Sequence, residues 1–164
     1  MDRSAVRSRL AAILVADVVA YSRLMERDQA GTIDRLKAFR QDVFERAVTD
    51  HDGRVFKVTG DGALVEFSSA PAAVRSAIQI QRAASDWNEQ IADADPIELR
   101  IGISLCEVFS EQGDLMGNAV NVAARLEALA EPGGICISGA VQEHLKHGHE
   151  FSLRDLGTCI VKNI

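Results

Sequence analysis

The sequence predicts an α/β (α+β) fold: a mixed sheet with helices packed on it and a ferredoxin-like β-α-β-β-α-β core. Three observations predict it. The segment from Ala11 to Val19, AAILVADVV, is a short and nearly continuous apolar run, as a strand covered on both faces requires. The segment from Arg54 to Phe67, RVFKVTGDGALVEF, places two short apolar runs on either side of Gly60-Asp61-Gly62, which is the pattern of a β-hairpin. Two longer segments between and after these carry apolar residues at helical spacing, and helices alternating with strands in one chain bury their apolar stripes against a sheet.

The elements follow in order. Asp17 interrupts the first strand, and a carboxylate there is costly unless it is paired, hydrogen-bonded or bound to a cation. It either caps the end of the strand or holds a ligand. From Asp28 to Asp50, Ile33, Leu36, Phe39, Val43, Phe44 and Ala47 form one helical stripe, with Arg35, Lys37, Arg40 and Glu45 on the other side; His51-Asp52-Gly53 ends the helix. The hairpin then presents Asp61 at its tip, as a turn former or as a ligand. Lys57, between Phe56 and Val58, is expected to project from the opposite face to its neighbours. Ser69 is placed to cap a second helix running to Gln90, with Pro71 in its first turn, and Trp87 is read as packing.

Asp95-Pro96 breaks the chain before the alternating strand from Ile97 to Phe109. Leu115 to Ala130 is helical in its second part and ends at Pro132-Gly133-Gly134. A buried strand from Ile135 to Ser138, a short helix from Gly139 to Lys146, and a terminal hairpin of Phe151 to Leu156 and Cys159 to Val161 around Gly157 complete the order.

Length and composition bound the function. A chain of 164 residues with 47% hydrophobic content fits one domain with a full core. A net charge of -6 argues against a nucleic-acid partner, which needs a basic stripe. The apolar run from Leu10 stops at Asp17, and no stretch approaches the roughly 18 to 20 apolar residues of a membrane segment. Cys106, Cys136 and Cys159 are odd in number and far apart, which fits neither a disulfide framework nor a thiolate metal site and points to a reducing cytoplasm. The His144, His147 and His149 group has only Glu143 and Glu150 beside it and is read as a solvated helix end.

Asn121 and Arg125 lie four apart on one helix and share a face. They are either solvated residues or an orienting amide and a charged fork for phosphate. The small Ala119, Ala123 and Ala124 around them leave room for a ligand or another backbone.

The segments LVADVVAYS, KVTGDGALVEF and GDLMGNAVNVAARLE, in this order, resemble the three active-site segments of class III nucleotidyl cyclases, which make cyclic AMP or cyclic GMP. The resemblance covers nearly the whole chain and extends to EPGGICIS and LGTCIVKNI. It implies one catalytic domain over residues 1–164 with class III cyclase architecture, and head-to-tail pairing of two domains with active sites at their interface. It assigns Asp17 and Asp61, with the backbone carbonyl of Val18, to two Mg2+ or Mn2+ ions. Lys57 and Asp114 match the adenine-selecting pair, which makes ATP the substrate and cyclic AMP and pyrophosphate the products. Asn121 would orient the ribose, Arg125 would meet charge on the α-phosphate, and Lys162 resembles a lysine near the terminal phosphates. Because the metal acids come from one protomer and the base and transition-state residues from the other, a homodimer would carry two complete sites.

Two departures stand out. Cys106 occupies a position where the family usually has glycine, so it either narrows the pocket or repacks the strand. Relatives also continue past the equivalent of KNI with a closing strand, whereas this chain stops at Ile164. The competing readings are a non-catalytic nucleotide-binding or dimerisation module and a guanylate cyclase. The joint presence of Asp17, Lys57, Asp61, Asp114, Asn121 and Arg125 favours the enzyme over the module, and Lys57 with Asp114 favours an adenylate cyclase over a guanylate cyclase.

Overall fold

The computed structural model describes residues 8–91, 93–109, 117–145 and 151. Its centre is β1 (Ser8–Val18), which pairs antiparallel with β3 (Gly62–Phe67) on one side and β4 (Leu99–Phe109) on the other. The edge strand β2 (Arg54–Val58) pairs antiparallel with β3, and β5 (Ile135–Ile137) pairs parallel with β4. The order β2-β3-β1-β4-β5 is a mixed sheet in which the first four strands make the expected split β-α-β arrangement.

Alternation along β1 explains why the run is apolar throughout. Ala12, Leu14 and Ala16 face a large core shared with the long helices, while Ala11, Ile13 and Val15 face a smaller core under a single helix, α5 (Gly117–Leu129). The large core receives Val43, Phe44, Ala47 and Val48 from one helical region and Ala73, Val74, Ala77, Ile80 and Ala84 from α4 (Ala70–Gln90). Ser69 caps α4 by accepting from the Ala72 N–H at 3.2 Å, as its position before Pro71 suggests. Trp87 packs edge-on against Phe39, with ring centroids 5.4 Å apart at 84°. The short α6 (Gly139–Leu145) adds Val141 and Leu145 to the same core.

Three local features depart from the sequence reading. A seven-residue helix, α1 (Tyr21–Arg27), follows β1, where no helix is expected. The helix expected from Asp28 to Asp50 is divided into α2 (Gln29–Phe39), a π-helical segment (Arg40–Glu45) and α3 (Arg46–Asp50); Asp28 caps it by accepting from Gly31 N–H at 3.1 Å. Lastly, the β2–β3 register shifts between Val55 and Lys57. This bulge brings Lys57 opposite Leu64, and both Leu64 and Phe56 pack against the smaller core. Directly opposed residues share a face, so Lys57 belongs on the same side as Phe56 and the expectation of opposite faces is corrected. The terminal hairpin lies outside the described residues.

Candidate active site

Asp17 stands at the end of β1, opposite Gly62 on β3 and Arg100 on β4. Its position continues the odd-numbered face of β1, the side covered by α5. Asp61 sits on the turn joining β2 to β3, and that turn is drawn onto β1 by the Val18 N–H donating to the Asp61 carbonyl at 2.7 Å. Glycine is required next to it, because a Cβ at Gly62 would stand 2.7 Å from the Ala16 carbonyl. The turn therefore brings the second acid against the first. Beyond Val18 the chain reverses through Ala20, which holds a left-handed conformation with φ 54° and ψ 40°. A non-glycine residue there costs about 1 to 2 kcal/mol, so the loop following Asp17 stores strain.

The electrostatics of this corner are those of a site short of positive charge. Burial, then the Asp61 charge and a hydrogen bond with Asp61, push the Asp17 carboxyl up to about 6, against the pull of the Val18 backbone and Arg100. Glu127 on α5 is pushed up to about 7 by burial and then by Asp17, with Asp61 adding and Arg100 opposing. Three acids thus share one arginine. Arg100 is fixed by its Nε–H, which donates to the Ala130 carbonyl at 3.0 Å just beyond α5. The helix is seated closely on the strand: a Cβ at Gly102 would lie 2.2 Å from the Ala123 carbonyl and 2.3 Å from the Glu127 nitrogen.

This donor set fits divalent cations. Two adjacent carboxylates that resist joint ionisation gain stability from a cation between them, and Mg2+ commonly takes one or two protein carboxylates while water and phosphate fill its other positions. Among the described residues, no group of three His, Cys, Asp or Glu side chains is placed to form an all-protein cage.

The remaining candidates lie elsewhere. Asn121 and Arg125 are exposed on α5, whereas Ala119 and Ala123 of the same helix are buried on the sheet. At helical spacing the two pairs occupy opposite sides of α5, so Asn121 and Arg125 point away from the acids of their own chain. Lys57 is exposed on the edge strand. Asp114 and Lys162 lie outside the described residues. Cys106 packs against the smaller core, and burial, then the charge of Glu66, raises its thiol against the opposing effect of Arg9. Sequence reasoning missed Arg100 and Glu127. The available signals were an arginine in an alternating strand on the glycine side, and an acid four residues beyond Ala123 on the core-facing stripe of α5.

A family model described as the adenylate and guanylate cyclase catalytic domain matches residues 5–163. The chain is 48% identical over its full 164 residues to the Rhizobium meliloti (strain 1021) protein named "Putative adenylate cyclase 3", and spans 28% of that relative's length. Among solved structures, the adenylate/guanylate cyclase/hydrolase from Silicibacter pomeroyi superposes with a TM-score of 0.85 at 43% identity, over 96% of this chain and 92% of the other. The guanylyl cyclase Cya2 shares the fold with a TM-score of 0.83 at 24% identity, over 97% and 88% of the two chains. A match that runs from before β1 to residue 163, together with paired acids at the head of a split β-α-β sheet, leaves one conclusion about kinship: the chain belongs to the adenylate and guanylate cyclase catalytic-domain family.

Proposed function

We propose that this chain is an adenylate cyclase domain that converts ATP to 3',5'-cyclic AMP and pyrophosphate at sites shared between two copies. The observation that carries the reading is the placement of the two residue sets: Asp17 and Asp61 meet at one corner, while Asn121 and Arg125 face outward from α5. Outward-facing residues serve a reaction only by meeting the acids of a second copy, and two-fold pairing then completes two equivalent sites.

When bound between Asp17 and Asp61, two divalent cations would lower the barrier by activating the ribose 3'-oxygen and neutralising charge on the α-phosphate and the departing pyrophosphate. In the reaction the 3'-oxygen forms a bond to the α-phosphorus, the bond to the bridging oxygen of the β-phosphate breaks, and the hydroxyl proton leaves to solvent. Asp17 and Asp61, with the Val18 carbonyl, would hold the cations. Arg125 of the second copy places a guanidinium at the α-phosphate, where charge develops, and Asn121 holds the ribose in line. Lys57 of the second copy donates to adenine N1 and Asp114 accepts from the 6-amino group. Guanine presents the reverse pattern, and an unmatched buried polar group costs about 1 to 3 kcal/mol. Lys162 is assigned to the terminal phosphates. Arg100, fixed against Ala130 and beside Asp17, adds positive charge at the same corner. Residues 1–164 are read as one catalytic domain, and an ATP-consuming reaction is in keeping with a cytoplasmic location. Among the described residues no helix is long and apolar enough to cross a membrane.

The test is to supply ATP or GTP with Mn2+ or Mg2+ and measure cyclic nucleotide and pyrophosphate together. Cyclic AMP from ATP alone is the expected outcome. Cyclic GMP would replace the base assignment, and bound nucleotide without product would make the domain a binding module.

A further inference from the structure

The chain has a single tyrosine, and it stands at the acid corner. Tyr21 opens α1, directly after the left-handed Ala20 that turns the chain back from β1. That reversal lays its ring over the β2–β3 connection: a Cβ built on Gly60 would lie 3.5 Å from the Tyr21 hydroxyl oxygen and 3.8 Å from Cζ, the ring carbon that bears it. The phenol tip therefore rests on the residue that precedes Asp61. Two observations separate this ring from a packing residue. It belongs to neither apolar core, and α1 buries only Leu24. Tyr21 is also half-buried, yet its hydroxyl forms no hydrogen bond with any described residue. A tyrosine that leaves solvent usually finds a partner for its hydroxyl. The strain at Ala20 is of the kind that collects at ligand sites, and here it holds an unpartnered donor beside the acids.

We infer that the Tyr21 hydroxyl binds the phosphate chain of the nucleotide, donating a hydrogen bond to a non-bridging oxygen of its β- or γ-phosphate when cations occupy Asp17 and Asp61. The inference rests on the reading of those two acids as cation ligands. Asp17, Asp61 and Glu127 have one arginine, Arg100, among them, so a polyanion at this corner needs neutral donors as well as metal. A hydroxyl suits the task. It carries no charge to compete for the cations, and its bond to an ionised oxygen is shorter and stronger than one between neutral groups. Its place in the chain selects the outer phosphates. Arg125 and Asn121, assigned to the α-phosphate and the ribose, come from the second copy, whereas Tyr21 belongs to the protomer that carries the acids. A contact with the outer phosphates is made to bound nucleotide and to departing pyrophosphate alike, so it contributes to binding more than to the chemical step.

Fluorotyrosine incorporated into the full chain gives one fluorine NMR signal, because Tyr21 is the only tyrosine. Mn2+ bound at the acid corner should broaden that signal, and pyrophosphate added with Mg2+ should shift it saturably. Tyr21→Phe removes the hydroxyl and keeps the ring over Gly60. It should weaken pyrophosphate binding, measured by calorimetry with Mg2+, by about tenfold or more, which is the worth of a hydrogen bond to a charged group. The KM for ATP should rise by a similar factor. Affinities for Mn2+ and for cyclic AMP, which has no outer phosphates, should be those of the parent. Parent affinity for pyrophosphate in Tyr21→Phe, or no saturable shift of the signal, overturns the contact alone. A joint loss of Mn2+ and pyrophosphate affinity overturns it too, since Tyr21 would then support the acid turn without touching phosphate. Mn2+ that fails to bind the parent, or binds without broadening the signal, overturns the reading of Asp17 and Asp61 as cation ligands and the contact that rests on it.

Discussion

Val18 donates its backbone N–H to the Asp61 carbonyl at 2.7 Å, and this bond fixes the separation of the two acids at the head of the sheet. Asp17 precedes Val18, and Asp61 lies on the turn, so the link holds the two backbones together and the carboxyls part only by side-chain rotation. The repulsion between them is therefore built into the fold and is relieved by a proton or by a cation.

That competition gives a pH prediction. The Asp17 carboxyl is held near 6 in the folded chain against an ordinary value of 3.8. A raised acid favours the folded state when protonated, so its contribution is complete below about pH 3.8 and is lost as the pH rises through about 6. Without metal, Asp17→Asn should melt several degrees above the parent at pH 7 and show little difference near pH 3.5. The parent should gain stability with Mn2+, more strongly as the pH rises through 6, while Asp17→Asn should not. Melting curves with and without Mn2+ across this range check both statements; equal Mn2+ stabilisation of the two proteins would remove Asp17 from the cation site.

The orientation of α5 gives a second prediction. Asp17→Ala and Arg125→Ala should each reduce cyclase turnover by about a hundredfold or more, the scale for losing a group that acts on transition-state charge. A mixture of the two inactive proteins should recover about a quarter of the parent activity after full chain exchange. Half of the dimers then pair one of each, and each such pair holds one intact site of two. Exchange followed by fluorescence transfer between labelled chains makes the comparison decisive, since exchange without recovery would refute the shared site.

How much of this corner could be read beforehand depended on chemistry that announces itself locally. Asp17 is an acid in an otherwise apolar strand and Asp61 an acid at a glycine turn, so both are visible without coordinates. Glu127 is not, because an acid within a helix carries no local mark of whether its side chain lies on the exposed face or, as here, on the half-buried one. The face of Lys57 depended on the bulge between Val55 and Lys57, and a two-residue period cannot signal one extra residue in a strand. Similarly, α1 buries only Leu24, too little to leave a helical pattern, and the π-helical segment, which buries Val43 and Phe44, carries no sequence signal that separates it from an α-helix.

Glu66 supplies an acid-sensitive link on the α5 side of the sheet. Burial works to raise its carboxyl, but hydrogen bonds and then charge from Arg9 and Arg54 outweigh it and hold it below the usual value of 4.5. Both arginines form ion pairs with it, the Arg54 contact at 2.8 Å. A lowered acid contributes stability above its ordinary value and loses it as the pH falls through the lowered one. Glu66→Gln should therefore cost about 1 to 3 kcal/mol at pH 7. The difference should shrink below pH 4, which urea denaturation at both pH values would read directly. A pH-independent difference would mean that packing, not charge, accounts for the loss.

Gly102→Ala separates the sheet from the helix that carries the outward residues. The added methyl would lie 2.2 Å from the Ala123 carbonyl and 2.3 Å from the Glu127 nitrogen, both backbone atoms that a rotamer change cannot move. The helix must lift as a body, or β4 must bend, and overpacking of this kind costs about 1 to 3 kcal/mol. Because Asn121 and Arg125 ride on the same helix, the displacement should disturb catalysis more than folding. The expected signature is a folded protein, with Mn2+ affinity at Asp17 and Asp61 changed by less than about threefold, whose turnover falls by about a hundredfold, in line with the sensitivity of positioned groups to a shift of about 1 Å. Turnover preserved in a stably folded Gly102→Ala protein would show that the seat of α5 on β4 does not set the position of Arg125.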